Sequence, residues 1–459
     1  MFAGRQNELR RLEGMFSSGK FECVIVHGRL RAGKTALLCE FIKGKRAMYF
    51  AAHETSDREN HNALARCIEM FANEKNSEST GLKNNYEAIF EQIGQLAHSE
   101  RLVLIIDDYQ FLVAANHGIS DLICKHIDLH LTGSQLMLII CGSSEPVMEK
   151  EALGYDSPYH GRRTAQIKVR PFTFFETKRY YTRFSPYDVA VIYGVTGGVP
   201  NYLDFMDPKL PIEENIKRAF FDASSPLFDE PANYLRREVR DPTYYNAVLK
   251  AIATGCRKNS EISSTVGLES SACTAYLKNL ISMGLVGKQT PIAEKAGKKT
   301  IYEIEDSMFR LWYRFVPDNI SLIRAGMANK FWRSVAQQIP SFMSSVFEDI
   351  CREWVDQRNL AGQLPAKFVE IGRWWGFDPI RKKDATLPII AYSDDEKALF
   401  GDCIWSNDPA GVDALTSLED RSRLFNYPNR YLYLFSRSGF TDECADAARR
   451  ISANLVMFE

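Results

Sequence analysis

Nowhere in the 459 residues is there an apolar run of the ~18–20 residues needed to cross a bilayer; the longest candidates, Leu102–Ile106 and Leu136–Cys141, are the size of strands. No membrane span is expected. The first residues carry Arg5, Glu8, Arg10 and Arg11 where a secretory leader needs an unbroken apolar stretch, so the chain reads as cytoplasmic. There is no Cys-x-x-Cys pair, and the ten scattered cysteines suit reduced, mostly buried thiols better than disulfides or zinc. No histidine follows His160, which excludes a Ser-His-Asp triad and a His-ligated metal from the last two-thirds. Nor does one charge dominate. With 57 basic residues against 58 acidic the net charge is −1, which rules out a uniformly basic nucleic-acid coat. What remains, 45% hydrophobic and 25% charged, is an ordinary globular composition at a length for about three domains.

The strongest positive signal begins with Phe21–Val26, an apolar β-rich run. It is followed by Gly28-Arg-Leu-Arg31-Ala32-Gly33-Lys34-Thr35 and then by a helical pattern from Ala36 to Ile42. This is G-x-x-x-x-G-K-T in its strand–loop–helix setting. Backbone N–H groups from Gly28 through Arg31, Ala32, Gly33 and Ala36 are expected to wrap phosphates at a helix N-terminus. Lys34 should reach the β/γ oxygens and the Thr35 hydroxyl should ligate Mg²⁺. A second apolar strand, Leu102–Ile106, ends in Asp107-Asp108. Asp107 is the expected Mg²⁺-side carboxylate and Asp108 the water-activating one. A third, Leu136–Ile140, runs into Cys141-Gly-Ser143-Ser144 and delivers Ser143 as a sensor of the γ-phosphate. Ligands of open α/β sheets bind at such strand ends. The expectation is an α/β fold with a P-loop parallel-sheet core, and ATP with Mg²⁺ as cofactors.

Together with these motifs, four further stretches carry a resemblance: Phe2-Ala-Gly4-Arg5-Gln-Asn-Glu8-Leu9, Ile106-Asp-Asp-Tyr-Gln110, Gly161-Arg162-Arg163-Thr164 ahead of Arg170-Pro171-Phe172, and Gly197-Gly198-Val199-Pro200. The chain resembles, nearly end to end, the archaeal-type ATPases of the AAA+/STAND group. The resemblance implies that the stretch from Phe2 through Arg5 to Glu8 lies against the adenine. It also implies that Arg162 or Arg163 approaches the γ-phosphate as a catalytic residue, and that Gly197–Pro200 opens a lid helix near the base. Such proteins usually have Asp-Glu where this chain has Asp107-Asp108. One methylene less pulls the carboxylate back by about 1.5 Å, and a misplacement of ~1 Å already slows catalysis. Slow hydrolysis with intact binding is the expectation.

Downstream, residues 173–235 alternate aromatic and charged residues at helical spacing and read as an all-helical lid with its aromatics in a core. Helical patterns at Tyr244–Thr254, Ser260–Val266 and Ser270–Met283, then Leu285-Val286, a polar tip Gln289–Lys299 and the strand Thr300–Ile304, read as a winged helix over 236–305. Between Asp241 and Thr300 lie eight basic and four acidic residues, a local +4 clustered on the wing. The third helix opens on Glu269-Ser-Ser-Ala-Cys-Thr274 with only Lys278 in reach, a poor set for reading base edges. Contact with a protein partner or a lid role is the first expectation, with DNA held through phosphates as the alternative.

After a helical connector (306–339), residues 340–459 resemble the domain commonly fused to archaeal-type ATPases, similar to the PD-(D/E)xK restriction-endonuclease fold. Its landmarks include Glu348, Trp374-Trp375, the strands Leu387–Tyr392 and Tyr431–Phe435, and Asp402-Cys-Ile404. Pro388 takes the slot of the metal-binding Asp, Asp402 stands in for the Glu and Ile404 for the Lys, with Lys397 and Asp384 as candidates to migrate in. Proline cannot ligate a cation and isoleucine cannot orient a water, so nuclease activity is not expected. The reading is a P-loop ATPase switch, residues 1–172 forming its core, that binds ATP and Mg²⁺ and moves a winged helix and a nuclease-like domain against an unidentified protein partner. The alternative is an ATP-gated DNA-binding or DNA-cleaving protein.

Overall fold

The computed structural model describes residues 4–73, 85–292 and 299–458. The chain forms two compact units. The first runs to Pro171 and takes in Val199–Asn201 and Ser282–Gly284; the second comprises Phe172–Gly198, Tyr202–Ile281 and the chain from Leu285 on.

The first unit is built on five strands, β1 (Glu22–His27), β2 (Ala47–Ala51), β3 (Leu102–Asp107), β4 (Leu136–Gly142) and β5 (Ala165–Lys168). They lie in the order β2-β3-β4-β1-β5 with every neighbouring pair parallel. Both faces are covered, which is why β3 and β4 read as unbroken apolar runs and are buried at every residue. The pleat divides them into two cores. Ile25, Leu104, Ile106, Leu138 and Ile140 pack with Leu64, Ile89, Phe90 and Ile93 from the helices Asp57–Asn73 and Tyr86–Ser99. Val24, Val26, Val103, Ile105 and Ile139 pack with Leu12, Leu37, Leu38 and Phe41 from Gln6–Phe16 and Lys34–Phe41. Each such side chain, fully buried, contributes about 1.5–3 kcal/mol. Because β1, β3 and β4 are adjacent and parallel, the loops that leave their C-terminal ends meet along one edge.

The second unit opens with helices, as the spacing predicted: Phe174–Tyr180, Pro186–Thr196, Ile212–Phe220 and Glu230–Glu238. Thr173 and Glu176 form a reciprocal capping box at the first, and Phe174 is buried. Three helices follow, Thr243–Ala253, Asn259–Val266 and Ser270–Ser282, and then an antiparallel ribbon of β6 (Val286–Gln289) and β7 (Ile301–Ile304). Most of the expected basic tip, with Lys295 and Lys298, lies outside the described residues. Ser307–Phe315 and the 22-residue helix Ile339–Leu360 lead to the second sheet. There β8 (Glu370–Asp378), β9 (Lys383–Tyr392) and β10 (Lys397–Ile404) form an antiparallel meander, and β11 (Asn429–Ser436) and β12 (Asn454–Met457) continue parallel to β10. Trp374 is buried edge-on to Phe425, with ring centroids 5.1 Å apart. All ten cysteines are free. Among the described residues no helix is long and apolar enough to cross a membrane.

Candidate functional site

The loop after β1 turns on residues whose backbone the sequence chose for the purpose. Gly28 has φ 144°, and a Cβ there would meet the Val169 carbonyl oxygen at 2.2 Å. Gly33, at φ 89°, caps the helix Lys34–Phe41. Lys34 is only 7% exposed, and its Nζ donates to the carbonyls of Gly28 (2.8 Å) and Arg29 (2.9 Å). Burial pushes this ammonium below its usual range, against the pull of Cys141, Asp107 and Asp108. A buried cation whose hydrogen-bond partners are carbonyls, beside a row of N–H groups at a helix start, fits a bound anion. The exposed Thr35 donates its hydroxyl to Asp107 Oδ2 at 2.9 Å, so the hydroxyl and carboxylate expected to share Mg²⁺ stand together.

Asp107 has further partners. Its Oδ1 accepts from the Asp108 N–H at 2.8 Å, and its Oδ2 also accepts from the Tyr49 hydroxyl on β2. Burial and that hydrogen bond push the Tyr49 phenol up, so it stays a donor. Asp108 sits at φ 52° and opens the helix Tyr109–Ala115. Its Oδ1 accepts from Gln110 Nε2 (2.9 Å), which also donates to Ser143 Oγ (3.1 Å), while the Ser143 N–H donates to Gln110 Oε1 (3.1 Å). Gln110 thus couples the two expected catalytic residues. Beside them, Glu145 pairs with His27 at 3.3 Å and with Lys168 at 3.3 Å. Burial alone would raise the Glu145 carboxyl, but its interactions with His27 and Lys168 hold it below its ordinary range. Tyr49, His27 and Glu145 carry no local motif, and the register of neighbouring strands brings them here; Gln110 ends the Ile106–Gln110 stretch, but its link to Ser143 was not anticipated.

On the other side of the loop, Arg5 at φ 62° caps the helix Gln6–Phe16, and its guanidinium donates to the Ala32 carbonyl at 2.8 Å. Arg31, a non-glycine at φ 67°, reaches Asn201 Oδ1 at 2.7 Å. The Pro200 ring lies 3.6 Å from where a Gly33 Cβ would stand. Ala36 is exposed on the first turn after the loop. Arg5, Arg31, Ala32 and Pro200 are therefore brought together, whereas Phe2 lies outside the described residues. Asn201 joins them without having been anticipated.

Arg162 is a correction. The expected approach to the γ-phosphate requires the C-terminal edge of the sheet, but Thr164 N–H bonds to the carbonyl of Cys23 (2.8 Å), near the start of β1. Since β5 is parallel to β1, residues that precede it lie at the N-terminal edge, away from the phosphate loop. There Arg162 forms a two-pronged ion pair with Asp128, at 2.7–3.0 Å, and Arg163 donates to the Ala152 carbonyl at 2.6 Å.

A family described as an ATPase domain predominantly from Archaea matches residues 2–205, and another, described as archaeal and bacterial proteins of unknown function, matches 312–420. The uncharacterized protein MJECL04 of Methanocaldococcus jannaschii is 30% identical over 409 residues, which cover 89% of this chain and 88% of the relative. The chain belongs to the archaeal-type ATPase family. Among solved structures, the Walker-type ATPase PABY2304 of Pyrococcus abyssi is similar with a TM-score of 0.54 at 20% identity, over 68% of this chain and 96% of that one. That likeness shows the fold. The Aeropyrum pernix ORC1 protein, in a structure with DNA, aligns over 70% of this chain and 94% of that one with a TM-score of 0.36 at 15% identity.

In this archaeal-type ATPase the carboxylates singled out in the C-terminal third are engaged by arginines. Asp402 accepts a charged hydrogen bond from Arg421, which also donates to the Thr386 carbonyl at 2.7 Å. Burial raises the Glu348 carboxyl, opposed by Arg373 and Arg352. The Pro388 carbonyl accepts from Arg352 at 2.8 Å. Lys397 is ion-paired with Asp395, so it does not move in to replace the missing lysine. Among the described residues no three His, Cys, Asp or Glu side chains gather as a metal site.

Proposed function

We propose that the chain is a slowly hydrolysing ATP switch whose nucleotide state governs a winged helix (236–305) and an inactive nuclease-like domain (340–459), in the cytoplasm. The observation that carries this reading is the 2.9 Å hydrogen bond from Thr35 to Asp107 beneath a loop spanned by the Lys34 ammonium. Thr35 and Asp107 would hold Mg²⁺, and Lys34 with the loop N–H groups would hold the phosphates. The ion supplies charge neutralisation when bound. Asp108, steadied by Gln110, is the group that orients water, and Ser143 on the same glutamine reports the far phosphate. Slow turnover is supported by the short reach of Asp108 and its commitment to Gln110.

Two observations speak against the DNA-directed alternative. Asn259 Nδ2 donates to Ser270 Oγ (3.1 Å) and Thr274 Oγ1 (2.9 Å), which occupies the polar groups at the start of the third helix. The Arg421–Asp402 pair likewise removes a carboxylate that metal-dependent cleavage would need. The test is Lys34→Ala. ATP binding, followed with a fluorescent analogue, should weaken at least a hundredfold and turnover should vanish. Turnover equal to that of the parent chain would sink the assignment.

A further inference from the structure

A cavity of about 460 Å³ lies within the second unit. Its walls come from the end of the helix Thr243–Ala253, the strand β7, the helices Ser307–Phe315 and Ile339–Leu360, and β8. That volume suits a small molecule, for which sites of roughly 300–1,000 Å³ are usual. Four arginines line it: Arg257, Arg310, Arg314 and Arg373.

Their charge is incompletely matched. Glu303 alone serves two of them, Arg373 at 2.9 Å and Arg257 at 3.1 Å. Asp349 is hydrogen-bonded to Arg352 and stands 3.9 Å from Arg310. Glu348 is 4.0 Å from Arg373, and burial pushes its carboxyl up against the pull of Arg373 and Arg352. Arg310 keeps a buried Nε with no hydrogen-bond partner. Among the described residues no carboxylate pairs with Arg314, whose guanidinium is disfavoured by burial and by the charge of Arg310. Arg310 and Arg314 are four residues apart on one helix face, so their heads diverge from bases roughly 5–6 Å apart. Arg310 is held over the Phe342 ring at 5.3 Å and Arg314 over Phe315 at 5.5 Å, which limits the entropy lost on engaging a ligand.

We propose that this cavity is a second anion site that takes a small phosphorylated molecule with at least two negative charges, its phosphate bridging Arg310 and Arg314 with Arg257 and Arg373 at the rim. Guanidinium forks match tetrahedral phosphate oxygens in pairs, and Thr254, Tyr302 and Ser345 add neutral polar groups around them. A double-helical nucleic acid does not fit a cavity of this size, which fixes the ligand class as a compact one. The site is independent of the ATPase reading, since none of its residues belongs to the phosphate loop.

The experiment uses the full chain carrying Lys34→Ala, so that the phosphate loop is disabled, with inorganic pyrophosphate titrated calorimetrically at low salt. Pyrophosphate should bind with a Kd below about 1 mM (−4.1 kcal/mol). Adding Arg314→Gln should weaken binding at least tenfold, and Arg257→Gln at least threefold. ATP binding by the chain with Lys34 intact should not change in Arg314→Gln. Four results would each overturn the proposal: no pyrophosphate binding, less than twofold loss in Arg314→Gln, equal affinity for malonate, or binding of duplex DNA alone. If Arg314→Gln does not fold, the half-exposed Arg257→Gln decides, and affinity unchanged in that variant refutes the site.

Discussion

Asp108 combines two demands in one residue. Its backbone is left-handed at φ 52°, a region that Asp tolerates better than most side chains, and in the proposed switch its carboxylate serves the chemistry at the strand ends. Glutamate reaches farther but is less suited to that backbone. Asp108→Glu is therefore expected to raise single-turnover hydrolysis several-fold, leave ATP affinity unchanged and cost about 1 kcal/mol of stability. Rapid-quench kinetics and a melting curve on the same variant check both halves, and a lower rate with unaltered stability contradicts the argument. At this scale the sequence was legible where chemistry is contiguous. Gly28 through Thr35 lie in one loop, and Asp107 ends a strand of unmistakable apolarity. Tyr49, Glu145 and the link from Gln110 to Ser143 were not legible, because they arise from the register between β2, β3 and β4. Arg162 was misplaced for a related reason: a basic pair before a short strand does not say at which edge of the sheet it emerges.

Among elements, the helix Ile339–Leu360 holds an unusual buried acid. Glu353 accepts the Tyr193 hydroxyl at 2.5 Å and the Phe174 N–H at 2.8 Å. Burial pushes its carboxyl up from 4.5 to about 7, despite those hydrogen bonds. Below pH 4.5 the group is protonated in both folded and unfolded chains and costs nothing. Between pH 4.5 and about 7 only the unfolded chain ionises, so stability is lost as pH rises, by at most about 3 kcal/mol in all. Glu353→Gln keeps its one carbonyl oxygen as acceptor for the Phe174 N–H while its amide N–H donates to the Tyr193 hydroxyl oxygen, and it removes the ionisation. Its melting temperature should exceed that of the parent above pH 7, with a flatter profile from pH 4.5 to 7; parallel profiles would exclude Glu353 as the cause. The helices around it were readable from spacing, and so were β1, β3 and β4. The short edge strand β5 was not, because Ala165-Gln-Ile-Lys168 carries one buried residue in four and edge strands keep polar side chains.

For the whole molecule, a net charge of −1 and a composition with no single-sign excess set what it can bind through bulk electrostatics. On the three helices and ribbon, Lys258, Lys278 and Lys288 are exposed, whereas Lys250 and Arg257 are paired with Asp318 and Glu303. If these three lysines alone met phosphates, duplex affinity would fall roughly forty-fold between 50 and 200 mM salt, with no preference among sequences. Fluorescence anisotropy with two unrelated duplexes measures this, and a sequence-selective complex that survives 200 mM salt would contradict it.

The Arg421–Asp402 pair also bears on what this chain can still become. Asp402 without a partner would repel Glu348, and the Arg421 guanidinium is a permanent counter-charge. Once installed, Arg421 also donates to the Thr386 carbonyl, so its removal would leave both that carbonyl and Asp402 short of a partner. Losing Arg421 alone is therefore unfavourable, and this corner of the second sheet tolerates change more readily when guanidinium and carboxylate are replaced together.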